Sequence, residues 1–200
     1  MDFDSAEYWK KRYATGGNSG SGSYGALAEF KAQSLNSFIG DNEVRSIVEY
    51  GSGDGNQLGL IKIANYVGLD VSPDAIKRTS EMYAVDPTKR FQVYDPDTFS
   101  AGSNEKAELS ISMDVILHLT EDARYGKYME NLFKSGIRYV GIFNTATDKQ
   151  LEKMAPHNRY RDHRSWIEVN ATDFEEMRVD MLPESIGYPH ETGFFYYALK

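Results

Sequence analysis

Val48-Glu-Tyr-Gly-Ser-Gly-Asp-Gly-Asn-Gln57 is the stretch on which the reading of this chain turns. The run from Val44 to Tyr50 is β-branched and aromatic, which predicts a strand, and it breaks into Gly51, Gly53 and Gly55 at alternate positions. Glycines there let the chain turn tightly and let its backbone approach a bound ligand. A second strand is predicted over Tyr66–Val71, and its Asp70 follows the glycine turn by about twenty residues, where a carboxylate can accept hydrogen bonds from both hydroxyls of a ribose. A dinucleotide site asks for a third glycine at position 56, which is Asn56. Glu49, two residues before the first glycine, repels a pyrophosphate and suits a ligand that carries an ammonium group.

Outward from this turn, strand and helix alternate. Further strands are predicted at Arg90–Asp95, stopped by Pro96, at Glu108–Asp114 and at Ile137–Phe143. One helix opens at Ser72-Pro73-Asp74, with Ser72 as N-cap. Another spans Glu121–Ser135 and is ended by Gly136. This alternation predicts a parallel sheet with helices on both faces. Residues 146–170 are polar and mixed, and no element is assigned there. Phe174–Leu182 and Gly193–Leu199 are two strands joined too briefly for a crossover, so a terminal hairpin is expected. Before the sheet come a short helix over 5–14 with Tyr8, Trp9 and Tyr13, a Gly/Ser-rich flexible loop over 15–25, and a helix over 26–39.

Composition excludes several functions. The 200 residues carry a net charge of −8 and no cysteine. Disulfides, thiolate metal sites and cysteine nucleophiles are therefore absent. A large polyanion such as nucleic acid is disfavoured as a partner, and a small molecule or a sugar with one anionic group is favoured. No run is long and apolar enough to span a membrane, and the acidic start, Met1–Glu7, has no apolar leader segment. A cytoplasmic protein, monomer or homodimer, is expected.

The motifs resemble those of class I S-adenosylmethionine-dependent methyltransferases. Val48–Gln57 is similar to the family's motif I and Gly68-Leu-Asp-Val-Ser72 to motif II. Tyr94-Asp95 stands where the family often places an acid near the adenine, and Ser112-Met-Asp-Val-Ile-Leu-His-Leu119 is similar to motif IV. Tyr8-Trp9 with Arg12-Tyr13, the loop Gly16-Gly17-Asn18-Ser19-Gly20 and the segment His157-Asn-Arg-Tyr-Arg161 resemble small bacterial and phage methyltransferases associated with surface-polysaccharide genes. Ser52 departs from the family's frequent cysteine at a position that contributes mainly backbone. The resemblance implies an α/β, Rossmann-like, three-layer domain with a seven-stranded, mostly parallel sheet and one antiparallel strand. It divides the chain into an N-terminal pair of helices with a cofactor lid, 1–40, and a catalytic domain, 41–200. It implies S-adenosylmethionine as cofactor, held by Trp9, Tyr13, Glu49, Gly51, Ser52, Gly53, Asp70, Val71, Asp95 and Asp114.

The reaction implied is methyl transfer to a small acceptor, a hydroxyl on a sugar or an anionic metabolite; cleavage of S-adenosylmethionine and a non-catalytic binding module are the alternatives. A hydroxyl acceptor needs its proton removed. His118, just past the fourth strand, is one candidate base and His157 the other; a packing role competes at His118. Arg159 and Arg161, at i and i+2 on an extended loop, can fork onto a phosphate or carboxylate, a solvated basic loop being the alternative. Trp9 and Tyr13, one helical turn apart, can cover a sulfonium or pack in the core. No metal site is expected, because Phe143 stands where a second acid would be needed beside Asp114 and Asn144. The Asn/Asp-Pro-Pro-aromatic motif for methylating amino groups on bases is also missing.

Overall fold

The computed structural model describes residues 3–200; Met1 and Asp2, which begin the acidic segment, lie outside the described residues. Seven strands form one sheet: β1 (Ser46–Tyr50), β2 (Asn65–Asp70), β3 (Lys89–Val93), β4 (Ala107–Met113), β5 (Gly136–Thr145), β6 (Phe174–Met181) and β7 (Thr192–Leu199). Their order is β3-β2-β1-β4-β5-β7-β6. β1 to β5 pair in parallel, and β7 runs antiparallel to both β5 and β6. This is the seven-stranded, mostly parallel sheet with one antiparallel strand that the strand pattern and the resemblance predict.

Parallel strands covered on both faces are apolar in both directions, and β1 shows how the layers form. Its Ile47 packs with Leu35, Phe38 and Ile39 of α2 (Gly25–Asp41), which covers one face. Its Val48 and Tyr50 point the other way, against Tyr128, Met129 and Leu132 of α4 (Asp122–Ser135). On that second face Ile167 of α5 (His163–Asn170) joins the core. Phe38 lies flat on Tyr196 of β7, ring centres 4.0 Å apart, so α2 is held across the far half of the sheet as well. The helix over Pro73–Met82, α3, starts as expected, with the Ser72 hydroxyl accepting from the Ala75 amide. α1 (Ser5–Ala14) is capped by Asp4 and packs beside α3.

α4 ends at Ser135 with Gly136 as its C-cap, as expected; Gly136 is extended, at φ −82°, and also begins β5, and a Cβ there would stand 2.2 Å from the Tyr139 carbonyl oxygen. Two local expectations are corrected. Residues 163–170, read as part of a polar stretch, form α5. The loop over 15–25 is not free: it contains a single 3₁₀ turn, Ser21–Ser23, and is bonded along its length to the body of the domain.

His163, at the start of α5, is fully buried. The Asn144 amide nitrogen lies 3.3 Å from its Nδ1, and the Tyr197 hydroxyl lies 3.2 Å from its Nε2. Burial pushes its pKa down to about 3, so the folded protein keeps this ring neutral. The unfolded chain takes up a proton that the folded chain refuses as pH falls from about 6.5 toward about 3, so stability is lost on that descent. Stability measured by denaturant unfolding across this range should fall more steeply for the wild type than for His163→Gln, by up to ~1.4 kcal/mol per pH unit. Equal slopes would contradict the neutral, buried assignment.

Candidate active site

Between β2 and β4 the chain reverses its order of strand addition at β1, and the loops after neighbouring strands diverge there. Such a switch point opens a crevice at the carboxyl ends of the strands. A cleft lies at this place, lined by the turn after β1, the ends of β2 and β4, and α1. Its floor is the turn after β1. Gly51, Gly53 and Gly55 all have positive φ, at 79°, 59° and 80°. The turn is drawn to the end of β2: the Gly51 and Ser52 amides donate to the Leu69 carbonyl, and the Gly53 amide donates to Asp70 Oδ2 at 2.9 Å. Asp70 Oδ1 accepts from the Ser72 amide at 2.9 Å. Burial lifts the Asp70 carboxyl to about 6 in spite of these bonds.

Glu49 faces the same cleft from β1 and is buried. Burial raises its pKa to about 7, against the Tyr66 hydroxyl, which donates to its Oε2, and against the nearby charge of Lys31. Asp114 follows β4 with φ 58° and accepts from Lys31 Nζ at 2.5 Å. Ser52 and Gln57 also line the cleft, and Ser52 Oγ and Gln57 Oε1 are buried with no partner in the protein.

The roof is the N-terminal segment. Trp9 and Tyr13 of α1 line the cleft. The glycine-rich loop is latched to the turn after β1 through Asp54, whose Oδ2 accepts from the Ser19 amide and from the Tyr24 hydroxyl, each at 2.8 Å. Burial pushes the Asp54 carboxyl up, but hydrogen bonds from Ser19, Tyr24 and Asn56 outweigh it and hold the group below the usual range. The loop comes so close that a Cβ on Gly53 would lie 2.3 Å from Ser19 Oγ and 2.9 Å from the Tyr13 hydroxyl.

His118 lies on the cleft wall, half-buried, with the edge of Trp9 against it at 4.9 Å between ring centres. Its Nδ1 is 3.0 Å from the His157 carbonyl oxygen, which can only accept. Nδ1 therefore carries the proton and Nε2 keeps its lone pair in the neutral ring. Burial lowers the pKa of His118, and the His157 carbonyl partly opposes this. His157 itself stands behind, its ring stacked between Tyr8 and His118 at 4.6 and 5.5 Å, and does not line the cleft.

The structure thus gathers Trp9, Tyr13, Glu49, Gly51, Ser52, Gly53, Asp70, Val71, Asp114 and His118 around one cleft. It leaves out four expected residues. Asp95 is exposed and its Oδ1 caps the Asp97 amide. His157 is the support just described. Arg161 is buried, with its guanidinium on the Leu119 and Thr120 carbonyls, on Asp122 and over the Tyr125 ring, so its fork is occupied within the chain. Arg159 is exposed and meets the same Asp122 carboxylate and Thr120 carbonyl through Nη1 alone. Sequence reasoning missed Lys31 and Arg124, both on the cleft. Lys31 is an isolated lysine in an apolar helical pattern, a usable signal, since such a residue is buried only with a partner. Arg124 resembles any helix-surface arginine, yet it gathers Asp4, Asp97 and Glu121 and ties α1 to α4.

No protein-family model matches the sequence, and no curated protein matches it as a relative. Solved structures match along its length. The magnesium protoporphyrin IX methyltransferase ChlM of Synechocystis PCC 6803, with bound SAM, superposes with a TM-score of 0.68 at 15% identity, over 100% of this chain and 99% of that one. The N-methyltransferase NodS of Bradyrhizobium japonicum WM9, with S-adenosyl-L-homocysteine, gives 0.70 at 13% identity, over 98% and 99%. The methyltransferase domain of bacterial CtHen1 gives 0.67 at 13% identity, over 86% and 97%. The order and direction of the strands, together with these superpositions, establish that the chain has the Rossmann-like methyltransferase fold.

Proposed function

We propose that this protein transfers a methyl group from S-adenosylmethionine to a small acceptor, and that the acceptor atom is a hydroxyl oxygen. The observation that carries the reading is the cleft at the switch point: Asp70 at the end of β2, a glycine turn beneath it, and acids rather than amide-lined phosphate space at its inner end. The fit to the cofactor is supported by Ser52 Oγ and Gln57 Oε1, buried polar atoms of cleft residues with no partner in the protein. The structural neighbours ChlM and NodS were solved with this cofactor or its demethylated product.

In this reading Asp70 holds the ribose hydroxyls, Glu49 and Asp114 face the ammonium group, and Trp9 and Tyr13 close over the nucleoside. S-adenosylmethionine supplies a methyl group already activated on a sulfonium. The protein's work is then alignment, exclusion of water and removal of one proton. His118 is suited to removing that proton, because the His157 carbonyl fixes its tautomer, burial keeps it neutral, and Nε2 is the basic atom. Glu121 ties the start of α1 to α4 by accepting from the Ser5 amide, which supports a roof that shields this chemistry. A sugar or anionic metabolite as acceptor rests on the resemblance to polysaccharide-associated methyltransferases. Arg159, exposed and with Nε and Nη2 not engaged, is the candidate anchor for an anionic group; Arg161 is not part of it.

A screen of sugar nucleotides and phosphorylated sugars, read by release of S-adenosylhomocysteine, tests the reaction. Release should require an acceptor; release from S-adenosylmethionine alone would overturn the transferase reading. With the acceptor found, His118→Ala should lower kcat by roughly a hundredfold to ten-thousandfold while S-adenosylhomocysteine affinity stays within about twofold. Unchanged turnover removes His118 from the mechanism.

Glu49 provides a second check. An ammonium group on Glu49 favours its ionised form, so binding should release a proton near neutrality, and affinity should weaken as pH falls through about 7. Calorimetric titrations in two buffers of different ionisation enthalpy should show that proton for the wild type and a smaller one for Glu49→Gln. The same proton count in both would place the linkage elsewhere.

A further inference from the structure

In the proposed transfer the C–S bond to the methyl breaks and a C–O bond forms, while the acceptor's hydroxyl proton passes to His118 Nε2. The positive charge that began on sulfur therefore ends on the imidazole ring. Burial of that ring works against the charge. The segment 157–161 decides what faces it. The Arg159 amide donates to the Leu117 carbonyl at 2.7 Å, the Arg161 guanidinium donates to the Leu119 and Thr120 carbonyls, and His118 Nδ1 donates to the His157 carbonyl. This clamp brings the side chain of Asn158 to the same ring. Asn158 Oδ1 is buried and has no partner in the protein. A buried amide oxygen without a donor is rare and costly. Here it stands beside a ring that has one N–H when neutral, already given to His157, and two when charged.

We propose that Asn158 is a positioning residue for the proton transfer, its Oδ1 an acceptor left open in the resting protein and used when His118 becomes imidazolium. Its role rests on the reading of His118 as the base, and it explains why an amide stands there. A carboxylate at the same place would hold the ring protonated at rest and occupy the lone pair that the reaction needs. The other groups that bear on the ring are few. Asp114, already engaged by Lys31, favours the charged form, and the His157 ring opposes it. Arg12 of α1 acts on His157, and Trp9 of α1 meets His118 with a neutral edge.

NMR titration of the whole protein, labelled on its histidine rings, reads His118 without any acceptor; the chain has four histidines, and His118→Gln identifies the signal. Asn158→Leu should move the His118 midpoint down by about half a pH unit or more, and Asn158→Asp should move it up by at least as much. In turnover, Asn158→Leu should lower kcat about tenfold with S-adenosylhomocysteine affinity within about twofold. The acid limb of its kcat profile should lie at lower pH, and that of Asn158→Asp at higher pH. An unmoved midpoint in Asn158→Leu overturns the proposal. So does an unmoved midpoint in Asn158→Asp, which decides the matter if Asn158→Leu does not fold. Midpoints that move the same way in both variants also overturn it, by marking Asn158 as packing alone. Midpoints that move as expected while His118→Ala turns over normally are a different failure: they overturn the base reading, and the role of Asn158 falls with it.

Discussion

The carboxylate of Asp70 bridges the turn after β1 and the start of α3, beside the Leu69 carbonyl that takes the Gly51 and Ser52 amides. One oxygen accepts from Gly53, in the turn after β1, and the other from Ser72, at the start of α3. Each such bond to a charged acceptor contributes about 1.5–3 kcal/mol. Together they set the glycine turn at a fixed height over the sheet, and that height decides what can lie in the cleft. The carboxyl is held at a cost, since burial raises it to about 6. A polar ligand that brings its own donors to this group relieves part of that cost, which is why a fold-positioning residue and a ligand-binding residue can be the same one.

The N-terminal segment depends on the same turn. Asp54, one residue past Gly53, collects the donors of the loop above it, and the absence of a Cβ at Gly53 lets Ser19 and Tyr13 settle there. Gly22 repeats the logic on the other wall, where a Cβ would lie 2.6 Å from Asp114 Oδ2. The loop thus lies against the carboxylates of both Asp54 and Asp114. Behind the roof, Tyr8, His157, His118 and Trp9 form a closed aromatic cluster of two stacked and two edge-on contacts, so the placement of α1 and the placement of the candidate base are coupled.

How much of the molecule is legible in its sequence follows from the range of each interaction. The strands, the Ser72 cap and the glycine turn are local, written in periodicity and in residues with special backbone freedom, and they read correctly from the chain. Asp70 and Glu49 line the cleft because strands β1 and β2 that carry them flank the switch point, a position the fold fixes. What fails is long-range pairing. Arg159 and Arg161 share a face, as their i, i+2 spacing implies, but the anion they meet is Asp122 of α4. The loop over 15–25 looks free by composition because its partners, Asp54, Asn56 and Arg78, lie far along the chain. Lys31 is hidden for the same reason, its partner being 83 residues away. Asp95 is assigned by its position in a motif, and the local cap on Asp97 takes it instead.

In the proposed reading, Glu49 and Asn56 turn a nucleotide-type cleft away from pyrophosphate and toward an amino-acid-bearing nucleoside. Equilibrium dialysis of the unmodified protein against S-adenosylhomocysteine and against NAD, side by side at one pH and salt, tests this most directly. Saturable binding of S-adenosylhomocysteine is expected, with none of NAD at the same concentration. Binding of NAD in preference to S-adenosylhomocysteine would contradict it.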